Sequence, residues 1–318
     1  MSRVHDALRR AGQTPEEPSK RGSSTPSVSE ALAAETSAAS AVEDPPDRDT
    51  MPDARGHSKS EMDEILARAA DYPYNPMADA LLVNSTKPRE GPGEEFRTLR
   101  TRLNHLQTLQ PLHTLVVTSA SPAEGKSFTA TNLALTQAQL TGKRVMLADF
   151  DFRRPAIDKA FQLTPSPGIT DYLRGEATLS QVIRRIPSAN LHVMTCGESV
   201  PNPLELLNLN ECRQLLASLR EYFDWVILDS PPLLFAADAN LLATMCDSTI
   251  LVVRIGSTTY DAVTRALQSL CENNVLGIVV NAARRGELYS KYSYYHDYYD
   301  AAVTSAERGA EEKAEVKA

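Results

Sequence analysis

The sequence predicts an α/β fold built on a doubly wound, mainly parallel sheet. Three observations predict it. Past residue 110, short apolar runs alternate with stretches whose apolar positions recur at helical spacing. The runs are apolar throughout, the pattern of strands covered on both faces. Three of them end in residues that carry chemistry, and open sheets of this kind bind ligands at the carboxyl ends of their strands.

The elements follow in order. Residues 2–11 suit a short basic helix, with Ser2 as cap, Val4, Leu8 and Ala11 on one face, and Arg3, Arg9 and Arg10 around them. It reads as a frayed terminal turn or as a docking helix that folds on a partner. Residues 12–60 are rich in Pro, Ser, Ala, Glu and Asp and hold almost no large apolar side chains, so disorder is expected there. A further helix is expected from Ser60, with Asp63 completing a capping box and Met62, Ile65 and Leu66 as its apolar face.

Three regions result: a largely disordered 1–89, a compact domain over 90–285 and a flexible tail over 286–318. The compact domain opens with a helix over Glu94–Thr108, whose Phe96, Leu99, Leu103 and Leu106 share a face. Strands are expected at Leu112–Thr118, Arg144–Phe150, Leu191–Thr195, Trp225–Asp229, Thr249–Arg254 and Leu276–Asn281. Helices are expected at Lys126–Leu140, Glu205–Tyr222 and Asp261–Cys271. The tail gathers Tyr289, Tyr292, Tyr294, Tyr295, Tyr298 and Tyr299, then turns acidic and alanine-rich.

Bulk properties narrow the function. The net charge is −8, so no overall basic field draws the chain to nucleic acid, and none is expected as a partner. Cys196, Cys212, Cys246 and Cys271 are scattered without metal-ligand spacing, and the N-terminus lacks a signal peptide's apolar run. A reduced cytoplasmic setting is expected. The longest apolar stretch, Leu233 to Ile255, is interrupted by Asp238, Asn240, Asp247 and Arg254, so membrane association is expected only at the periphery or through a partner.

The chemistry starts at Thr118-Ser119. Ala120-Ser121-Pro122-Ala123-Glu124-Gly125-Lys126-Ser127 links a strand to a helix with the spacing of a phosphate-binding P-loop, Ala120 standing where Gly is usual. Consecutive N–H groups wrap phosphates there and the helix N-terminus adds partial positive charge. Gly125 permits close approach, Lys126 brings a point charge to the β- and γ-phosphates, and the Ser127 hydroxyl can ligate Mg²⁺. Ser121 to Ser127 and Phe128 are the residues expected around ATP. Downstream, Asp149 and Asp151 fall on one side of a strand end. Two carboxylates near a triphosphate can hold hydrated Mg²⁺ or accept a proton from a nucleophile. Trp225–Leu228 is an apolar run ending in Asp229, a Walker B pattern.

These residues together resemble the bacterial tyrosine kinases, P-loop proteins that control capsular and extracellular polysaccharide assembly. The resemblance covers roughly Glu94 to Tyr299. It rests on TSASPAEGKS, LADFDFR and VILDSPP, on Glu94, Arg97 and Arg100 at three-residue spacing, on Pro201–Leu207 and on the tyrosine cluster. MSRVHDALRRA resembles the start of soluble members associated with exopolysaccharide and exosortase-type loci.

The resemblance implies roles. Lys126 and Ser127 bind phosphates and Mg²⁺. Asp149 is a metal-shell or catalytic residue, Asp151 helps activate the tyrosine hydroxyl, and Asp229 acts through Mg²⁺. Glu94, Arg97 and Arg100 join subunits into a ring, and tail tyrosines are phosphorylated in a neighbour's site. Asn281 sits where related ATPases contact adenine. Many members are fused behind a two-pass membrane domain that holds their activator. A separate membrane co-polymerase is therefore the implied activator, recruiting the chain to the inner face of the membrane, and a cognate tyrosine phosphatase is the implied antagonist.

Two other readings stand beside this one. A positioning ATPase of the partitioning or septum-site kind shares the fold but carries an extra lysine early in the P-loop, where this chain has Ser121, and lacks the tyrosine tail. A regulatory subunit would bind ATP without phosphorylating, yet Lys126, Ser127, Asp149, Asp151 and Asp229 are all present.

Overall fold

The structure, a computed structural model, describes residues 57–76, 82–83, 93–270 and 275–283, all within one compact unit. The described chain begins with α1 (Lys59–Arg68) and β1 (Ala70–Asp71), then α2 (Gly93–Leu109), β2 (Thr114–Ser119), α3 (Lys126–Ala138) and β3 (Val145–Asp149). Three short helices follow, α4 (Ile157–Phe161), α5 (Ile169–Leu173) and α6 (Leu179–Val182), and then β4 (Ile183–Ile186) and β5 (Leu191–Met194). The remainder is α7 (Pro203–Asn208), α8 (Asn210–Tyr222), β6 (Trp225–Asp229), α9 (Asp238–Met245), β7 (Ser248–Arg254), α10 (Tyr260–Ser269) and β8 (Val275–Asn281).

Among the described residues the strands form one sheet in the order β1-β4-β5-β3-β6-β2-β7-β8. All pairs are parallel except β4 with β5. This is the expected doubly wound, mainly parallel architecture. Alternation along β6 divides the core: Val226 and Leu228 pack with Met62, Leu215 and Leu219 on one face, while Trp225 and Ile227 pack with Leu103, Leu115 and Leu133 on the other. A smaller cluster holds Leu233, Ala239, Leu251 and Ala266 under α9 and α10. Each fully buried Leu or Ile contributes about 1.5–3 kcal/mol, so the sheet with these two faces is what fixes the strand ends in place.

Several expectations need correction. The folded body reaches further toward the N-terminus than residue 90. Residues 57–60, expected within the disordered stretch, form the cap and first turn of α1, and Met62 and Leu66 are buried. The capping box is Ser58 with Glu61, not Ser60 with Asp63: Glu61 N–H donates to Ser58 Oγ (3.3 Å) and Ser58 N–H to Glu61 Oε2 (2.7 Å). Asp63 instead accepts from the Tyr222 hydroxyl. The helix expected over Glu205–Tyr222 starts at Pro203 and breaks at Leu209, whose ψ of 146° is extended. Asn208 and Asn210 flank the break, and asparagine competes for helical backbone partners.

Six elements were not foreseen: β1, the short helices α4, α5 and α6, and the two taken next, β4 and α9. In β4 the pair Arg184-Arg185 disguises a strand, yet Arg184 is buried, donating to Thr195 Oγ1 and to Pro167 O (3.0 Å). The helix α9 lay hidden in the long apolar stretch after Leu233. Among the described residues no helix is long and apolar enough to cross a membrane. The expected helix over 2–11 and the tail tyrosines lie outside the described residues.

Candidate active site

The register of the sheet builds the site. Asp149 is the Cα partner of Asp229, and Asp229 of Val117, so β3, β6 and β2 present their ends side by side. The P-loop leaves β2 at Ser119. Ala120 is fully buried against the cluster of Leu233 and Leu251, and its φ is not positive, so a methyl is tolerated where Gly is usual. The strained positions come later. Ala123 has φ 63° and Gly125, the N-cap of α3, has φ 99°. No side chain caps α3 and its first turn holds no acidic residue, which leaves its N–H groups and positive end open to an anion.

The loop is braced from outside. Glu124 is 1% exposed, and its carboxylate accepts from Ser121 N–H (2.9 Å) and from Thr258 Oγ1 (2.5 Å). Arg254 Nη1 donates to Ala123 O (3.0 Å), Ser119 Oγ to Ser121 O (2.8 Å), and Asn281 Nδ2 to Glu124 O (2.9 Å). The Glu124 side chain thus acts as an internal strut. In this structure the Asn281 amide lies on the P-loop backbone, where a Cβ added to Gly125 would come within 1.9 Å of it. The Phe128 ring turns away, edge-on to Phe96 at 5.9 Å, so only its backbone faces the loop.

Lys126 reaches into the acids. Its Nζ lies 2.6 Å from Asp151 Oδ2 and 3.6 Å from Asp229 Oδ1, and donates to Ser127 Oγ at 3.2 Å. Burial works against its charge, but Asp229 and Asp151 outweigh burial and hold its pKa above the usual lysine value. Asp149 is fully buried. Its Oδ2 accepts from Ala156 and Ile157 N–H (both 3.0 Å) at the start of α4, and its Oδ1 from Asp151 N–H (3.1 Å), so it ties down the turn that carries Asp151. Burial first, then the charge of Asp229, pushes the Asp149 carboxyl up to about 8 against those donors.

Asp229 is different. It is 0% exposed, and its carboxylate faces only side chains, the Lys126 ammonium at 3.6 Å and the Ser127 hydroxyl, with no backbone N–H on it among the described residues. Burial pushes it up to about 6, while the Lys126 charge and the adjacent Ser127 hydroxyl pull the other way. A buried carboxylate held by no backbone N–H, beside a lysine and a serine hydroxyl, fits a divalent cation. Among the described residues no three or more His, Cys, Asp or Glu side chains converge as a ready-made metal cage. Mg²⁺ in phosphate sites takes one or two protein ligands and completes its shell with water and phosphate, so the donor set agrees with Mg²⁺.

Residues without a motif complete the opening. Arg153 makes a bidentate pair with the buried Asp238, Nε to Oδ2 at 2.7 Å and Nη2 to Oδ1 at 3.1 Å. A cavity of about 380 Å³ lies beside the loop, with Lys126 and Asp151 among its lining and Arg153, Arg154 and Phe235 around it. Sequence reasoning missed Arg254, Thr258, Asp238 and Phe235. Only Pro231-Pro232, which follow Asp229-Ser230, offered a local signal.

The expected site therefore comes together around Ser121–Ser127, Asp149, Asp151, Asp229 and Asn281. The triad on α2 does not join it. There Glu94 pairs with Arg97, and Arg100 donates to Thr136 O (3.0 Å) at the end of α3.

A buried lysine on a P-loop, two acidic strand ends beside it and a parallel sheet behind it define a P-loop nucleotide-binding protein. Comparisons with known proteins carry this further. A family described as "AAA domain" matches residues 116–273. The tyrosine-protein kinase YwqD of Bacillus subtilis (strain 168) is 34% identical over 216 residues, 67% of this chain and 90% of that one. The tyrosine-protein kinase etk of Escherichia coli (strain K12) is 32% identical over 209 residues, 65% of this chain but 28% of its own length. The structure of the kinase domain of Escherichia coli tyrosine kinase ETK superposes with a TM-score of 0.61 at 30% identity, covering 68% of this chain and 89% of that one. The chain belongs to the bacterial tyrosine kinase family.

Proposed function

We propose that this chain is an ATP-dependent protein-tyrosine kinase that phosphorylates its own tail tyrosines between subunits and so regulates exopolysaccharide or capsule polymerisation and export. The observation that carries the reading is Lys126, held between Asp151 and Asp229 at the mouth of an uncapped helix. The family membership and the tail tyrosines support the choice of acceptor.

Each group then has a task. The open N–H groups of α3 and the Lys126 ammonium receive the phosphates of ATP, which draws Lys126 from Asp151. The freed Asp151 carboxylate orients the tyrosine hydroxyl and takes its proton, a needed step because a free phenol has pKa about 10. Asp149 holds Asp151 in position through the intervening turn. Ser127 and Asp229, with Asp149 behind them, would hold Mg²⁺, which supplies charge neutralisation at the β- and γ-phosphates. Catalysis here is positioning plus charge stabilisation.

The finer parts of the reading come from the family. Glu94, Arg97 and Arg100 would trade their present partners for a neighbour's in a ring. A membrane co-polymerase would supply activation at the inner face of the cell membrane, and a tyrosine phosphatase would reset the tail. Incubating the full chain with ATP and Mg²⁺ tests the central claim. Phosphotyrosine is expected, and it disappears when Tyr289, Tyr292, Tyr294, Tyr295, Tyr298 and Tyr299 are all changed to Phe. ATP hydrolysis with no phosphotyrosine in the parent, even with the co-polymerase's cytoplasmic segment added, would sink the kinase reading.

A further inference from the structure

The cavity beside the P-loop has two kinds of wall. Lys126 and Asp151 line its reactive part. The turn after β6 adds Pro231, Pro232 and Phe235 to the same lining. That turn is fixed to the P-loop entry: Leu233 N–H donates to Ser119 O (2.9 Å) and Leu234 N–H to Ala120 O (3.3 Å). Leu233 is buried, yet Phe235, two residues on, is 67% exposed. A large ring on a pinned turn, facing solvent at the rim of a reactive cavity, contributes little to the core. It offers a rigid platform for another flat ring, and such pairs gain from offset or edge-on contact beyond simple burial.

The rim is also charged. The Arg153 guanidinium is taken up by Asp238. Arg154 is exposed, and among the described residues its side chain has no hydrogen-bond or ion-pair partner. An unpaired guanidinium at the mouth favours a carboxylate next to the entering residue. In the tail, Tyr298 and Tyr299 lie between Asp297 and Asp300, whereas Tyr289 and Tyr292 flank Lys291.

We infer that this wall is the acceptor side of the site: Phe235 stacks the ring of the incoming tyrosine, and Arg154 selects the carboxylate-flanked Tyr298–Tyr299 pair over Tyr289 and Tyr292. The inference rests on the kinase reading above and adds which residues choose the acceptor. The tyrosine Oη forms its bond to the γ-phosphorus as the bond to the bridging oxygen breaks. ADP leaves with that oxygen, and the phenolic proton passes to Asp151. A serine hydroxyl could reach the same atom but brings no ring to Phe235, so the platform favours tyrosine.

Phosphopeptide mapping of the full chain, sampled early after ATP and Mg²⁺ are added, tests the inference. In the parent, Tyr298 and Tyr299 are labelled ahead of Tyr289 and Tyr292. Arg154→Glu lowers that ratio about threefold, as befits an exposed ion pair. Asp297→Asn with Asp300→Asn lowers it equally, and placing Lys at 297 and 300 in the Arg154→Glu background restores it. Phe235→Ala lowers labelling at all tail tyrosines about tenfold, and Phe235→Trp recovers it. A ratio unmoved by Arg154→Glu overturns the selection. Losses matched by an equal loss of binding for a fluorescent ATP analogue overturn the acceptor assignment, because the residues then serve the nucleotide. A parent that makes no phosphotyrosine, even with the co-polymerase's cytoplasmic segment added, overturns the kinase reading instead.

Discussion

Asp229 and Asp247 stand at opposite ends of the same sheet and are treated in opposite ways. Asp247, just before β7, accepts from His113 N–H (2.8 Å), Thr114 N–H (2.9 Å), Thr114 Oγ1 (3.1 Å) and Arg220 Nε (2.9 Å). Burial alone would raise its pKa, but the N–H donors of Thr114 and His113 and then Arg220 hold it below the usual carboxylate value. Asp229, at the end of β6, is wholly buried with only the Lys126 and Ser127 side chains beside its oxygens and no backbone N–H among the described residues, and its pKa is raised. The amino end of the sheet spends its carboxylate on fastening strands together. The carboxyl end leaves one facing only the Lys126 and Ser127 side chains, groups that can turn to a nucleotide and a cation.

Substitutions at these two positions give the largest expected effects. Asp229→Asn lowers phosphotyrosine formation at least about a hundredfold while leaving the melting temperature of the nucleotide-free protein equal or higher. A fall in stability with activity retained would reverse the contrast. Asp247→Ala does the converse. It strands the donors of His113, Thr114 and Arg220 and destabilises by about 4 kcal/mol in denaturant unfolding, with the surviving folded protein still able to bind nucleotide.

The contrast extends to pH through His192 on β5. Burial chiefly, with Arg185 and Arg144 adding to it against an opposing hydrogen bond that the ring donates to the Val145 carbonyl, lowers its pKa to about 4 from 6.5. The folded state keeps this ring neutral, so its stability contribution is present above pH 6.5 and is lost as pH falls toward 4. His192→Gln should remove about 3 kcal/mol of the acid-side loss seen in parallel denaturant titrations carried down to pH 4; identical pH curves for parent and variant would refute it. The smallest effect concerns Ala123. Its φ of 63° disfavours any side chain with a Cβ, so Ala123→Gly is expected to stabilise by up to about 1 kcal/mol in thermal unfolding.

What the sequence disclosed follows how local each signal is. The strand Trp225–Asp229 was legible to the residue, because an unbroken apolar run ending in an acid contains its own boundaries. The P-loop and the pairing of Asp149 with Asp151 were legible for the same reason. The strut from Thr258 to Glu124 joins residues 134 apart, and that from Arg254 to Ala123 spans 131, so no window along the chain holds both partners. Arg184 misled because a buried guanidinium in a strand depends on a carbonyl and a hydroxyl supplied from elsewhere. Glu124 was legible as a loop residue but not as a strut, since its use depends on Thr258.

Gly125 and Asn281 are separated by most of the folded chain, yet less than one atom's width remains between them. Neither position can vary by itself. A side chain at 125 meets the Asn281 amide at 1.9 Å and must also adopt φ 99°, while shortening residue 281 removes the donor to Glu124 O without relieving that backbone. Across a library of variants the two positions should therefore be inherited as a linked pair, and a recombined chain that takes its first half from one relative and its last strand from another would fail first at this junction.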